Sequence, residues 1–382
     1  MGYLNDREIT VAGAGVAGLT VALALAQRGA RVSVFERAGA LREVGAGLQL
    51  SANAGRVLDA LGLSAALDAV SWRTEGVILN NQHGRQVARL PLSARQPGTA
   101  FRAIHRARLI EVLESAARAA GVEIVLNHEV TAPPEGAALA IGADGLHSRM
   151  RTALNGEAKP FFTGQTAWRA LISDTTDDPF VRVYMGAGQH LVSYRLGEGL
   201  RNIVAIMERP EWAAEGWSHE DDPDKLRMAF SDFGNPVHGW LDRINRVGIW
   251  GLFRHEIAPV WHDDTRVILG DAAHPTLPFM AQGAVMAIED AWVLAACLDA
   301  IEDQVEALAR YQALRLPRVR RMIQTANDNA RNYHLSGPAR TIGHAGLRLV
   351  SALAPGQITG RFDWVYNYDP LAEEPVPGRI AV

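Results

Sequence analysis

The sequence predicts an α/β fold in which a parallel, doubly wound N-terminal domain carries an inserted, mainly antiparallel β-sheet domain and is followed by a C-terminal helical segment. Three observations predict it. The chain opens on a strand, a glycine turn, a helix and a second strand, which is a βαβ unit. From Thr166 to Glu208 it runs through successive strand-like segments joined by glycine turns. Its 382 residues, 48% hydrophobic, exceed what one core fills, because single cores stop growing at roughly 250–300 residues.

Each element follows from local pattern. Residues 8–13 form a short apolar strand, Val16 to Arg28 a helix stopped by Gly29, and Arg31 to Phe35 the second strand. The glycine-broken VGAGLQL (44–50) precedes a helix from Asn53 to Leu61 that Gly62 closes. Gly76 to Leu90 has strand character with a turn at His83 and Gly84, an antiparallel excursion from the first lobe. Arg106 to Ala120 is a periodic helix leading through Gly121 into the strand Val122 to Leu126. WRALIS, VRVYM, HLVSYRL and NIVAIME are the strands of the sheet lobe. After them come a helix from Asp221 to Phe233, the strands VGIWGLF and RVILG, and helices at Gly283–Ala300 and Glu306–Tyr333. EEPVPG near the C-terminus reads as a loose tail.

Composition excludes several classes. A net charge of -4, with 38 basic and 42 acidic residues interleaved, provides no field to recruit a polyanion, so nucleic acid is not expected as a partner. Cys297 is the single cysteine and lies in an apolar helical run, which leaves no disulfide framework and no thiolate metal site; no metal is expected. The first apolar run is preceded by Asn5, Asp6, Arg7 and Glu8 rather than a basic leader, and no stretch reaches the roughly 20 apolar residues of a membrane span. The expectation is a cytoplasmic protein.

Gly13, Gly15 and Gly18 form G-x-G-x-x-G between the first strand and its helix, and Glu36 ends the second strand. Gly13 permits the tight turn, Gly15 lets a pyrophosphate approach the backbone, and Gly18 lets helix and strand pack closely. Val16 and Ala17 open the helix, whose free N–H groups and positive dipole end face the phosphates. Glu36 is placed to accept the ribose hydroxyls, which argues against a 2'-phosphate at this position. This is a Rossmann-like dinucleotide site; the fingerprint alone leaves FAD and NAD open.

GADGLHSRMR (142–151) and GDAAHP (270–275), in order after the fingerprint, resemble the further signatures of the class A, single-component FAD-dependent aromatic hydroxylases. HRARLIEVL, TAWRAL, HLVSYRL and PFMAQGAVMAIEDA resemble the salicylate, 3-hydroxybenzoate and 6-hydroxynicotinate hydroxylase branch. The resemblance implies a discontinuous FAD-binding domain at 1–72, 101–164 and 263–330. It implies a substrate-binding sheet domain at 73–100 and 165–262, with 331–382 as C-terminal helical segment and tail. Asp271 is implied to bond the ribityl chain, Gly270 to permit close approach, and Arg106 to contact the flavin. Gly283 and Ala284 are implied to offer backbone N–H groups to the flavin pyrimidine edge, and Asp144 to serve both the pyrophosphate region and the nicotinamide. Gly47, Arg37 and Arg42 complete the expected cofactor contacts, the two arginines as weaker candidates.

Such an enzyme uses NADH or NADPH and O2, and hydroxylates a small phenolic or carboxylated ring through a flavin C4a-hydroperoxide. The period of two along HLVSY puts His190, Val192 and Tyr194 on one strand face. The spacing resembles the family's His and Tyr pair, with the histidine as phenol base and Tyr194 beside it. Gln49 and Gln282 are expected to hydrogen-bond the substrate, and His274 and Pro275 to line the pocket above the ring. Trp168, Trp250 and Trp261 are expected in core or lobe-interface packing. Two departures stand out: the segment TAPPEGAALA (131–140) is short, and Arg195 replaces the proline common after the tyrosine, which points to a substrate carboxylate. A flavin oxidase or other flavin oxidoreductase on the same scaffold, or a flavin-bound regulatory protein without turnover, are the alternatives. A monomer or homodimer is expected.

Overall fold

The computed structural model describes residues 2–41, 47–93, 100–130, 138–211, 219–373 and 375. The chain runs β1 (Glu8–Ala12), α1 (Val16–Ala26), β2 (Arg31–Phe35), β3 (Gly47–Leu50), α2 (Ala52–Ala60), α3 (Ser64–Val70), β4 (Ser71–Arg73), β5 (Gly76–Asn81), β6 (Gln86–Leu90) and β7 (Arg102–His105). It continues through α4 (Arg106–Ala119), β8 (Glu123–Val125), β9 (Leu139–Gly142), α5 (Arg149–Asn155), β10 (Phe161–Ser173), β11 (Phe180–Gly186), β12 (Gln189–Arg195) and β13 (Leu200–Glu208). Then follow β14 (His219–Asp221), α6 (Pro223–Ala229), α7 (Val237–Leu241), β15 (Val247–Arg254), β16 (Arg266–Ile268), α8 (Gly283–Ala300), α9 (Gln304–Tyr333), α10 (Gly337–Leu353), α11 (Pro355–Gly360) and α12 (Asp363–Tyr366).

Three sheets result. The first, in the order β16-β9-β1-β2-β8, is parallel throughout, and its strand order reverses at β1, where open α/β sheets form their ligand crevice. The second has eight strands, β14-β15-β10-β13-β12-β11-β5-β6. All its pairings are antiparallel except β5 with β11. The expected hairpin at Gly76–Leu90 is therefore present as β5 and β6, but it joins the large sheet through a parallel edge. A third, small antiparallel sheet has the order β3-β7-β4.

Apolar pattern explains the layers. α1 is apolar all round and sits between the parallel sheet and the largely apolar α8, so Leu19, Val21, Leu23 and Leu25 are buried with Val285, Ile288 and Leu294. On the large sheet, Trp168, Tyr184, Leu191, Ile203 and Ala205 face α6 and α7. The opposite parity, Ala167, Val204, Ile206 and Trp250, meets Leu277, Phe279 and Ala330. The helix expected over Asp221–Phe233 is shorter, because Asp221 ends the β14 ladder and the Asp222 carboxylate caps the Asp224 N–H at 2.9 Å. Cys297 is a buried side chain of α8 whose thiol burial pushes up to about 12.

The C-terminal turns are held by arginines from the first lobe. Arg318 donates to the carbonyls of Trp364 and Val365, and Arg56 to those of Tyr366 and Tyr368. No helix among the described residues is long and apolar enough to cross a membrane.

Candidate active site

The carboxyl ends of β1, β2, β9 and β16 open onto a cleft of about 900 Å³ that extends to the large sheet. Gly13, with φ +100°, has its Cα so close to β9 that a Cβ would lie 2.5 Å from the Ala143 carbonyl oxygen. At Gly18 a Cβ would lie 1.9 Å from the Gly13 carbonyl oxygen, so helix and turn pack as the fingerprint requires. Gly15 is different: nothing lies within 4 Å of where its Cβ would be, and it caps an α1 N-terminus that has no side-chain cap. Val16 and Ala17 form the first turn behind it. The open cradle with free helix N–H groups fits a pyrophosphate.

Glu36 and Arg37 line the cleft beyond. The Glu36 carboxylate accepts the Ala14 N–H at 2.8 Å and the Ala38 N–H at 2.9 Å, one on each oxygen, which fixes it while leaving lone pairs for ribose hydroxyls. Asp144 also lines the cleft; one oxygen accepts the Arg149 and Met150 N–H groups, while the other is buried with no hydrogen-bond partner. Burial raises the Asp144 carboxyl despite those bonds. Arg42 lies outside the described residues.

Gly270 has φ +59°, and a Cβ there would lie 3.1 Å from the Ala287 Cβ and 3.2 Å from that of Ala17, so this turn is wedged between α1 and α8. It delivers Asp271 to the cleft, where Arg106 also opens. Asp271 is exposed to the cleft; desolvation by the surrounding protein raises its carboxyl, and Arg106 and His274 pull the other way. Behind the turn is a buried charge network. Asp290 accepts from Gly270 N–H at 3.1 Å, from Arg315 at 2.7 Å, and contacts His274 Nε2 at 2.6 Å. Glu289 accepts from Arg315 at 2.6 Å, Arg318 at 2.7 Å and Asn53 at 2.6 Å. Burial alone would raise the Asp290 carboxyl, but His274 and Arg315 outweigh it and hold it at about 2. This network supports α8, whose first residues, Gly283 and Ala284, have no side-chain cap above them.

Gln282, His274 and Arg195, expected at the substrate, are engaged elsewhere. Gln282 is buried, and its amide donates to Ser51 at 3.0 Å and accepts from Asn53 at 3.1 Å, so it ties the start of α8 to α2. His274 is likewise turned to Asp290 and Trp261, and Pro275 is buried beside it. Arg195 is corrected by the same period of two that aligned its neighbours: it lies opposite Arg201, on the face away from Tyr194, with its guanidinium 4.7 Å from the Trp72 ring.

Tyr194 lies opposite Asn202 across β12 and β13, and both press on Gly47, where a Cβ would come within 2.8 Å of Asn202 and 2.9 Å of Tyr194. Asn202 accepts the Gly47 N–H at 3.2 Å. Burial pushes the Tyr194 hydroxyl up to about 12, and Arg169 and hydrogen bonding with Gln49 and Asn202 lower it only in part. Arg169 was not singled out in the sequence. It lines the cleft on β10 with its guanidinium 4.7 Å from Trp250, which thereby joins the cleft wall while Trp168 and Trp261 are core. A cation one residue from Trp168 in an otherwise apolar strand was the available signal.

His190 is buried among Phe279, Tyr333 and His334, with ring centroids at 5.3, 5.3 and 5.0 Å. Burial, with His334 adding to it, lowers its pKa well below the ordinary 6.5, so the ring is neutral. Among the described residues no group of three or more His, Cys, Asp or Glu side chains is arranged to hold a metal ion.

The model of the FAD binding domain family matches residues 6–326. The 3-amino-4-hydroxybenzoate 2-monooxygenase of Streptomyces cremeus is 37% identical over 362 residues, 88% of this chain and 90% of that protein. The 3-hydroxybenzoate 6-hydroxylase 1 of Aquipseudomonas alcaligenes is 31% identical over 95% of this chain and 98% of its own length. In fold, a salicylate hydroxylase in its substrate complex matches 99% of this chain and all of its own with a TM-score of 0.80 at 24% identity. The glycine cradle, the Asp271 turn and these matches along nearly the whole chain agree: it belongs to the FAD-binding domain family, in the class A aromatic hydroxylase branch.

Proposed function

We propose that this protein is an FAD-dependent monooxygenase that hydroxylates a small phenolic or carboxylated aromatic ring, with NADH or NADPH as reductant and O2 as cosubstrate. The observation that carries the reading is a single cleft running from the open Gly15 cradle past Asp271 to the sheet face that bears Arg169 and Trp250. FAD, when bound, would supply the redox chemistry: hydride acceptance from the nicotinamide and activation of O2 for transfer of one oxygen atom to the ring. Gly13, Gly15, Gly18 and the first turn of α1 hold the pyrophosphate, Glu36 the ribose, and Asp271 with Arg106 the flavin side. The N–H groups of Gly283 and Ala284 stabilise negative charge at the pyrimidine edge. Arg169 pairs with a substrate carboxylate, the Tyr194 phenol donates a hydrogen bond with Gln49 beside it, and His190 takes the phenol proton.

The domain division that goes with this reading has the FAD-binding part at 1–72, 101–164 and 263–330, and the substrate part at 73–100 and 165–262. The protein works in the cytoplasm as a monomer or homodimer; the exposed Ile342, Leu349 and Leu353 of α10 favour the dimer, which sedimentation tests. The activity is tested by following NADH and NADPH oxidation and O2 uptake by the FAD-loaded protein with a panel of hydroxylated benzoates and pyridines. A ring compound that accelerates oxidation and gains one oxygen atom is the expected result. Oxidation that no ring compound accelerates, with H2O2 formed in equal amount, marks an oxidase instead.

A further inference from the structure

His190 does not stand alone. Its Nδ1 is 2.7 Å from Nε2 of His334, and Nδ1 of His334 is 2.8 Å from Oε1 of Glu208, whose side chain is 57% exposed. The three residues form an unbroken line from a fully buried ring to solvent. Hydrogen-bond chemistry fixes the direction of every proton in it. An ionised carboxylate only accepts, so His334 carries its proton on Nδ1. A neutral His334 then presents a lone pair at Nε2, so His190 must carry its proton on Nδ1 and leave its own Nε2 bare.

We infer that Glu208 and His334 set the tautomer that makes Nε2 of His190 the basic nitrogen, and that they conduct the proton it accepts to solvent. The inference rests on the hydroxylase reading for the source of that proton. The phenol O–H bond breaks as an N–H bond forms at His190 Nε2. The Nδ1 proton of His190 passes to His334 Nε2, and the Nδ1 proton of His334 passes to Glu208, which exchanges with water. Reversal of the same steps returns a proton to the product oxygen and resets both rings; no electron moves.

The surroundings favour transit over storage. Burial disfavours a charged His190, and it also lowers His334, although Glu208 pulls His334 upward. The other titratable group packed against His190 is Tyr333, which burial pushes up to about 12 and so stays neutral. His334 caps the C-terminus of the 30-residue α9, where the helix dipole favours a passing positive charge, and its carbonyl is held by the Gly188 N–H at 3.2 Å.

Glu208 and His334 act through His190 and are positioning residues, so the test reads the tautomers directly. In FAD-loaded protein with ¹⁵N-labelled histidine, assigned with H190Q and H334Q, both Nδ1 nitrogens are expected as N–H and both Nε2 as bare nitrogens at neutral pH. In E208L, a surface change that leaves the fold intact, the rings are expected to average between tautomers. A His190 protonated on Nε2 in the parent protein, or tautomers unmoved in E208L, overturns the proposal. With a ring compound that stimulates oxidation, E208L and H334Q are expected to slow hydroxylation on the order of a hundredfold with unchanged FAD content. If the tautomers are as expected and no ring compound is hydroxylated, the line of donors stands and the hydroxylase reading falls. Hydroxylation together with the opposite His190 tautomer refutes the line alone.

Discussion

Replacing Asp290 by Asn removes one charge from the network behind the flavin turn and keeps its volume. At about 1.4 kcal/mol for each pH unit, holding this fully buried carboxyl at about 2 rather than 3.8 stabilises the fold by about 2 kcal/mol. The variant also leaves the buried Arg315 with one carboxylate fewer, which moves the cost toward the roughly 3–5 kcal/mol of a broken buried ion pair. The expected loss at pH 7 is about 2–4 kcal/mol. For 382 residues at about 2.1 cal/mol/K each, that lowers Tm by roughly 3–5 °C. The sign with pH follows from a depressed carboxyl: its contribution is complete above the unfolded value and is lost as pH falls through the folded one. The gap between parent and D290N should therefore hold above about pH 5, shrink by roughly half near pH 3, and close below about pH 2. Urea titrations followed by tryptophan fluorescence at pH 7, 5, 4 and 3 measure it. A gap under about 0.5 kcal/mol at pH 7, or one that widens on acidification, refutes the electrostatic reasoning.

Gly15→Ala should change stability by less than about 0.5 kcal/mol and weaken FAD retention at least tenfold, because its Cβ enters open space that a pyrophosphate would occupy. Gly13→Ala meets the Ala143 carbonyl and should instead destabilise the fold by more than about 1 kcal/mol, read by thermal unfolding of both apoproteins. Asp271→Ala should lower FAD content of the purified protein more than His190→Ala does, while His190→Ala should lower hydroxylation far more; equal hydroxylation in His190→Ala removes it as the base. Arg169→Met should raise KM for a carboxylated ring roughly ten- to hundredfold, as loss of a charged partner at about 1.5–3 kcal/mol implies, and leave the decarboxylated analogue nearly unchanged.

The parallel sheet and its glycine turn were legible because they are local: strand, triplet, helix and acid fall within the first 36 residues, and each glycine answers a steric demand. The shared face of His190 and Tyr194 followed from strand periodicity alone, and the same periodicity, applied one residue further, would have turned Arg195 away. What stayed hidden depends on register and distance. Asn202 meets Tyr194 only through the β12–β13 pairing, and Arg169 reaches the cleft only because β10 lies between β13 and β15. His334 lies 144 residues from His190, at the end of a helix whose pattern reads as basic and amphipathic. Glu289 and Asp290 sit in an apolar helix run, where nothing in the sequence announces that Arg315 and Arg318 would come to neutralise them.

The anchorage of the last turns by Arg318 and Arg56 ties residues 364–368 to α9 and α2. Arg318 divides its guanidinium between Glu289 and the Trp364 and Val365 carbonyls, and Tyr368 stacks 3.7 Å from it. Cutting the chain before Trp364 would strip the Trp364 and Val365 acceptors and the Tyr368 ring from Arg318, and through Glu289 the disturbance would reach α8 and the turn that presents Asp271. Trimming this region for crystallisation or fusing a rigid tag close behind it should therefore be felt first as loss of yellow colour, well before loss of solubility.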